Sequence, residues 1–177
     1  MANEVIVRGR YKLFTVIPTV QATPDYAAGD VLFAPTEIPN FFSSTGASCI
    51  LKSITIIDKQ VVATHAFTLY FTNSSTALGT VNATADAVVG VLEEIQATIP
   101  IVDADWIAGG GAGSVDLANV CTISNPAVDG IGSVLQGSNY GWGDGSPTRS
   151  IYIVGIAGEA MNVASTSDLL IKIGVEY

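Results

Sequence analysis

A chain of 177 residues is the size of one domain, and folding would bury roughly 70% of the surface its unfolded form exposes. Hydrophobic residues make up 49% and charged residues 13%, against about 25% charged in ordinary soluble domains, so Thr, Ser, Ala, Gly and apolar groups must furnish much of the surface. Sixteen acidic against seven basic residues give a net charge of -9 with no basic patch or tail, which argues against binding nucleic acid or an anionic membrane surface.

Residues 1–10 hold neither an apolar core long enough for a signal peptide nor a small-residue cleavage site. No stretch approaches the ~20 apolar residues of a membrane helix. The expectation is a protein made and kept in a cytosol, where the sequons at Asn73 and Asn82 carry little weight.

Short strand-like runs then alternate with Gly, Pro, Asn, Ser and Asp clusters. Residues 10–17 predict a strand closed by Pro18, and residues 30–33 a second, entered through Gly29 and closed by Pro35. Residues 50–57 predict a third, with Ile50, Ile54 and Ile56 on one face and Lys52 the exception. Residues 64–72 alternate most cleanly: His65, Phe67, Leu69 and Phe71 point one way, Thr64, Ala66, Thr68, Tyr70 and Thr72 the other.

The only helical candidate is 84–92, where Val88, Val89 and Leu92 have helical spacing but Gly90 limits the run to a turn or two. Residues 109–140 are rich in Gly and Ala and hold an apolar run at 117–123. Residues 151–157 are apolar on both faces, as in a strand that is central or covered by a neighbouring subunit. Leu169, Ile171, Ile173, Val175 and Tyr177 share one face of a last strand that ties the C-terminus into the sheet. The expected fold is all-β: one domain over 1–177, a two-sheet antiparallel sandwich of jelly-roll type, with at most a short helix near 84–92.

Chemistry-bearing patterns are sparse. Any Ser-His-Asp or Cys-His mechanism must pass through the lone His65, which shares a face with three apolar side chains and reads as a core-edge histidine. Cys49 and Cys121 lie in apolar runs and read as free, buried thiols; with one His they supply no tight zinc pair. The Gly-rich run at 109–114 lacks the Lys-Ser/Thr of a P-loop and ends in Ser114 where a dinucleotide fingerprint needs Gly. Asp103 and Asp105 would share a strand face, Asp129 and Asp144 sit in Gly-containing loops, and Glu93 and Glu94 would point to opposite faces. No catalytic, cofactor or metal residue is therefore assigned, and no enzyme is expected.

Aromatics offer more. The segment 139–147, Asn-Tyr-Gly-Trp-Gly-Asp-Gly-Ser-Pro, is too polar and glycine-rich for a core strand, yet carries Tyr140 and Trp142. A loop Trp can stack on a sugar, fill a partner's pocket or tuck over its own core. Phe41 and Phe42, before Ser-Ser-Thr-Gly, form a second candidate contact knob. Low charge and the two-faced run at 151–157 suggest contact with copies of itself.

In order along the chain, Tyr-Ala-Ala-Gly-Asp-Val at 26–31, Cys-Ile-Leu-Lys-Ser-Ile-Thr-Ile-Ile-Asp-Lys at 49–59, Leu-Tyr-Phe-Thr at 69–72, Asn-Ala-Thr-Ala-Asp-Ala at 82–87 and Ser-Asp-Leu at 167–169 resemble a recurrent family of small tailed-bacteriophage virion proteins. The match runs from about Tyr11 to the end. The resemblance implies a capsid-associated or decoration component that contacts a major capsid or other virion protein and carries no catalytic residues. The alternative is a carbohydrate-binding sandwich, such as a host-receptor module.

Overall fold

The computed structural model describes residues 11–59, 65–87, 89–107, 119–123, 131–137, 149–163 and 165–177. Among them the chain forms ten strands: β1 (Tyr11–Val16), β2 (Val31–Ile38), β3 (Ser48–Asp58), β4 (Phe67–Thr72), β5 (Ile95–Ile101), β6 (Trp106–Ile107), β7 (Asn119–Ile123), β8 (Val134–Gln136), β9 (Ile151–Ala157) and β10 (Leu169–Glu176). The one α-helical turn, α1, spans Val89–Leu92, within the region expected to hold a short helix.

Two antiparallel sheets pack as a sandwich. The first has the order β1-β10-β3-β7-β6, with β8 also paired to β3; the second has the order β2-β9-β4-β5. The pairing is nested: β1 with β10, β2 with β9, β3 with β7, β4 with β5, and β10 and β9 in turn with β3 and β4. A ribbon of four strand pairs rolled in this way is a jelly roll.

Alternation explains which residues fill the space between the sheets. Phe67, Leu69 and Phe71 of β4 and Leu169, Ile171, Ile173 and Val175 of β10 all lie in one core with Ile54, Ile56, Ile151 and Ile153. β3 departs from the simple reading. Its register with β10 jumps between Gly174–Ser53 and Val175–Leu51, leaving Lys52 as an extra residue. This bulge resets the phase, so Cys49 and Leu51 turn inward while Ile50 joins Lys52 outside.

The expectation that Pro35 ends the second strand is also corrected: β2 runs on to Ile38. β2 is an edge strand, and its pairing with β9 skips from Phe33–Gly155 to Thr36–Ile153, so Ala34 and Pro35 are bulged out where no ladder donor is required. Opposite Phe33 the sheet needs Gly155, because a Cβ there would lie 2.6 Å from the Phe33 ring.

β9 is apolar on both faces for a reason internal to the chain. Its inner side chains join the main core, while Val154 packs with Val31, Leu78 and Val91 in a second cluster on the outer side of the four-stranded sheet. The connection between β4 and β5 lies over that side and is stitched to β2: Val31 N–H donates to the Ala83 carbonyl and Asn82 N–H to the Val31 carbonyl, at 3.0 and 2.8 Å. No neighbouring subunit is needed to cover it.

Candidate functional site

Of the four aromatic contact candidates, the structure removes two. Phe41 and Phe42 are fully buried, not exposed knobs. Phe41 stacks on Phe14 with ring centroids 4.8 Å apart, and Phe42 meets Phe41 edge-on at 5.2 Å. The polar Ser-Ser-Thr-Gly that follows suggested a surface loop, but the backbone holds the pair inward. Phe42 N–H donates to the Arg149 carbonyl at 2.9 Å, Arg149 Nε donates to the Phe42 carbonyl at 3.0 Å, and the Tyr177 hydroxyl donates to the Phe41 carbonyl. Tyr140 and Trp142 lie outside the described residues, as do Asp129, Asp144 and the Gly-rich run at 109–114.

His65 is deeper than the core edge. It is 3% exposed, with Nε2 3.3 Å from Oδ2 of the fully buried Asp58. The two atoms are poorly aligned, so the contact is electrostatic rather than a good hydrogen bond. Asp58 closes β3 on its inward face, His65 enters β4, and the Trp106 indole donates to the His65 carbonyl at 2.9 Å. The pair brings the end of β3 in the first sheet against the entry to β4 in the second. Sequence reading missed the pair because Asp58 follows Ile56 and Ile57 at the end of a strand and gives no local sign of a partner.

Asp103 and Asp105 lie in a 3-10 turn, not a strand, so they do not share a strand face; Asp105 Oδ2 accepts from Val102 N–H at 2.9 Å. Burial raises the Glu94 carboxyl above its ordinary range. Among the described residues no group of three or more His, Cys, Asp or Glu is placed to hold a metal, and no helix is long and apolar enough to cross a membrane.

Cys49 and Cys121 are both buried, and Cys49 is a free thiol. Burial pushes the Cys49 thiol up from 9.0 to about 12. Only a thiolate is nucleophilic, so native Cys49 should not react with an aromatic disulfide reagent at pH 8 and should titrate fully once unfolded. The raised value also fixes a sign: this contribution to stability is complete below pH 9 and lost as the pH rises toward about 12, so an alkaline melting series should show it fading. Rapid labelling of the folded protein at pH 8 would contradict the placement of Cys49.

What remains is a surface. Among the described residues none is layered over the outer face of the six-stranded sheet, and register partners cross it in rows. One row is Tyr11, Glu176, Ile50 and Val134; another is Leu170, Ile57, Val120 and Ile107. Ile107 is 73% exposed, Val134 61%, Leu13 55%, Tyr11 52% and Ile50 39%. Between the rows lie Thr15, Lys172, Thr55 and Thr122. Tyr11 lies flat across Gly174, where a Cβ would strike its hydroxyl, and hydrogen-bonds Ser53 Oγ at 3.1 Å.

The electrostatics of this face differ from those of the chain. Its described charges are Lys52, Lys172 and Glu176, and Lys52 Nζ lies 3.2 Å from Glu176 Oε2. An open groove of about 470 Å³ indents the face beside Cys49, Ile50, Val134 and Tyr177. A second groove, of about 520 Å³, is lined by Val20, Gln21, Ala34, Val81 and Thr166 among others, with no titratable side chain.

The chain matches no protein-family model and no curated protein.

Proposed function

We propose that this chain is a non-enzymatic structural component of a bacteriophage virion, a capsid decoration or head-associated protein that acts through protein–protein contacts. The observation that carries the reading is the asymmetry of the sandwich. Among the described residues, one sheet is covered by the chain's own β4–β5 connection, while the other exposes Tyr11, Leu13, Ile50, Ile107 and Val134. Contiguous exposed apolar surface of this kind marks an interaction site. The jelly roll is a frequent architecture of viral capsid proteins, though also of lectins and cupins, so the fold alone does not decide the role. The single His, buried against Asp58, supports a structural reading over a hydrolytic one. The ordered motifs from 26–31 to 167–169 favour the virion among structural roles.

Trp142 is the anchor that the sequence offers for the capsid contact. Replacing Trp142 with Ala should weaken attachment to particles lacking the protein by about 2 kcal/mol, a hot-spot loss, while leaving the fold intact. Mixing the purified variant with such particles and measuring what co-sediments tests this. The carbohydrate-binding alternative predicts normal incorporation and lost glycan binding for the same variant. Full occupancy by Trp142→Ala with unchanged affinity would overturn the Trp142 assignment.

A further inference from the structure

We infer that Glu94 and Asn73 form a proton-dependent latch, in which the carboxylic acid form of Glu94 donates from Oε2 to Asn73 Oδ1 and ionisation undoes the bond. Two oxygens carry this reading. Glu94 Oε2 and Asn73 Oδ1 are each sealed from solvent without a hydrogen-bond partner, and Asn73 as a whole is 9% exposed. The register sets the two residues side by side. The β4–β5 ladder ends at Thr72 opposite Ile95, and one step further Asn73 N–H donates to the Glu94 carbonyl at 3.2 Å. Residues opposed in this way carry their side chains on one face, with Cβ atoms about 4.5–5.5 Å apart. Two buried acceptors so placed are costly unless one of them carries a proton to share.

The neighbouring hydroxyls are engaged elsewhere. Thr72 Oγ1 accepts from Ser74 N–H at 3.2 Å, and the Ser74 hydroxyl donates to Thr76 Oγ1 at 2.9 Å. Among the described residues, β4 holds Tyr70 as its one titratable side chain, α1 and β8 hold none, and Glu93 beside Glu94 is exposed and of the same sign. No Lys, Arg or His is among them. A protonated carboxyl has one O–H to give, and an amide oxygen can only accept. Burial acts in the same direction, holding the Glu94 carboxyl above its ordinary value by disfavouring its charged form. The latch has a segment to act on. Glu94 N–H donates to the Val91 carbonyl at 3.2 Å, and Val91 packs in the cluster that holds the β4–β5 connection over the four-stranded sheet. Ionised, Glu94 sets a sealed negative oxygen against another acceptor at the end of that connection.

Because the folded value lies above the ordinary 4.5, the latch contributes fully below pH 4.5 and is lost as the pH rises through the folded value. The test is thermal melting of the full chain and of Glu94→Gln at pH values from 4.5 upward to about 8, with hydrogen exchange at the Asn73 and Glu94 amides. Gln keeps a donor at every pH. The variant should therefore match wild type at the acid end and melt about 2–4 °C higher at the alkaline end, with slower exchange at both amides there. Every other acid is common to both proteins, so the difference reports Glu94 alone. Parallel pH profiles would overturn the inference. So would a variant less stable than wild type at the alkaline end, as an Asn73 amide donating to an ionised carboxylate requires. A calcium-induced rise in wild-type melting temperature that Glu94→Gln lacks would overturn it too, because the partner of the two oxygens would then be a metal ion. The purified chain is used alone, so such a failure would leave the virion reading where it stands.

Discussion

Replacing Asp58 with Ala is expected to lower the unfolding free energy by about 1–3 kcal/mol, because it leaves a buried imidazole without its polar partner. Such a loss is a large part of the 5–15 kcal/mol that typically holds a domain folded. The physical cause is desolvation. Asp58 is fully buried and His65 nearly so, and 3.3 Å separates them. Neither side chain can turn to water without opening the junction that Trp106 closes through its bond to the His65 carbonyl. A double substitution of Asp58 and His65 by Leu should recover most of the loss, since replacing both buried polar partners by apolar groups of similar shape can be nearly neutral. Urea unfolding of the single and double variants measures both. A loss below about 1 kcal/mol for Asp58→Ala would show that the contact does not hold the end of β3 against the entry to β4.

Phe42→Ala should cost about 3–5 kcal/mol of stability, the range for large-to-small substitution of a buried aromatic. The Phe42 ring is fully buried, packed edge-on to Phe41, and so close to Gly137 that a Cβ there would sit 2.9 Å away. Phe41 in turn stacks on Phe14 of the edge strand β1, so the loosened cluster would carry β1 with it. Chemical unfolding reads the loss, and hydrogen exchange should show β1 amides opening first. Wild-type stability for Phe42→Ala would mean that the ring lies outside the core.

These two expectations mark where sequence stops being legible. β4 and β10 were readable because each buries one side chain in two against the same core, and a period of two survives in the sequence unaltered. β3 was half readable: its bulge at Lys52 moves Ile50 from the expected inner face to the outer one, and the cause lies in the register with β10, which no local pattern records. β2 looked shorter than it is, since Pro35 is harmful only where a ladder donor is needed, and edge position is a property of the sheet. The two-faced apolarity of β9 is that of a central strand, one of the two expectations for it: β9 lies between β2 and β4, and residues from the β4–β5 connection pack on its outer side.

The candidate site shows the same division. Phe41 and Phe42 sit among polar neighbours, which suggested exposure, while the bonds that turn them inward come from Arg149 and Tyr177, more than a hundred residues away. The apolar rows on the outer face draw one residue from each of several strands, so no stretch of sequence looks unusual. Only pairing brings Tyr11, Ile50 and Val134 into line.

The proposed virion role meets its most direct test in the composition of purified particles. Mass spectrometry of density-banded phage made by the genome that encodes this chain should find it in the particle, in fixed proportion to the major capsid protein. Its absence from particles, with the chain abundant in the same lysate, would contradict that role.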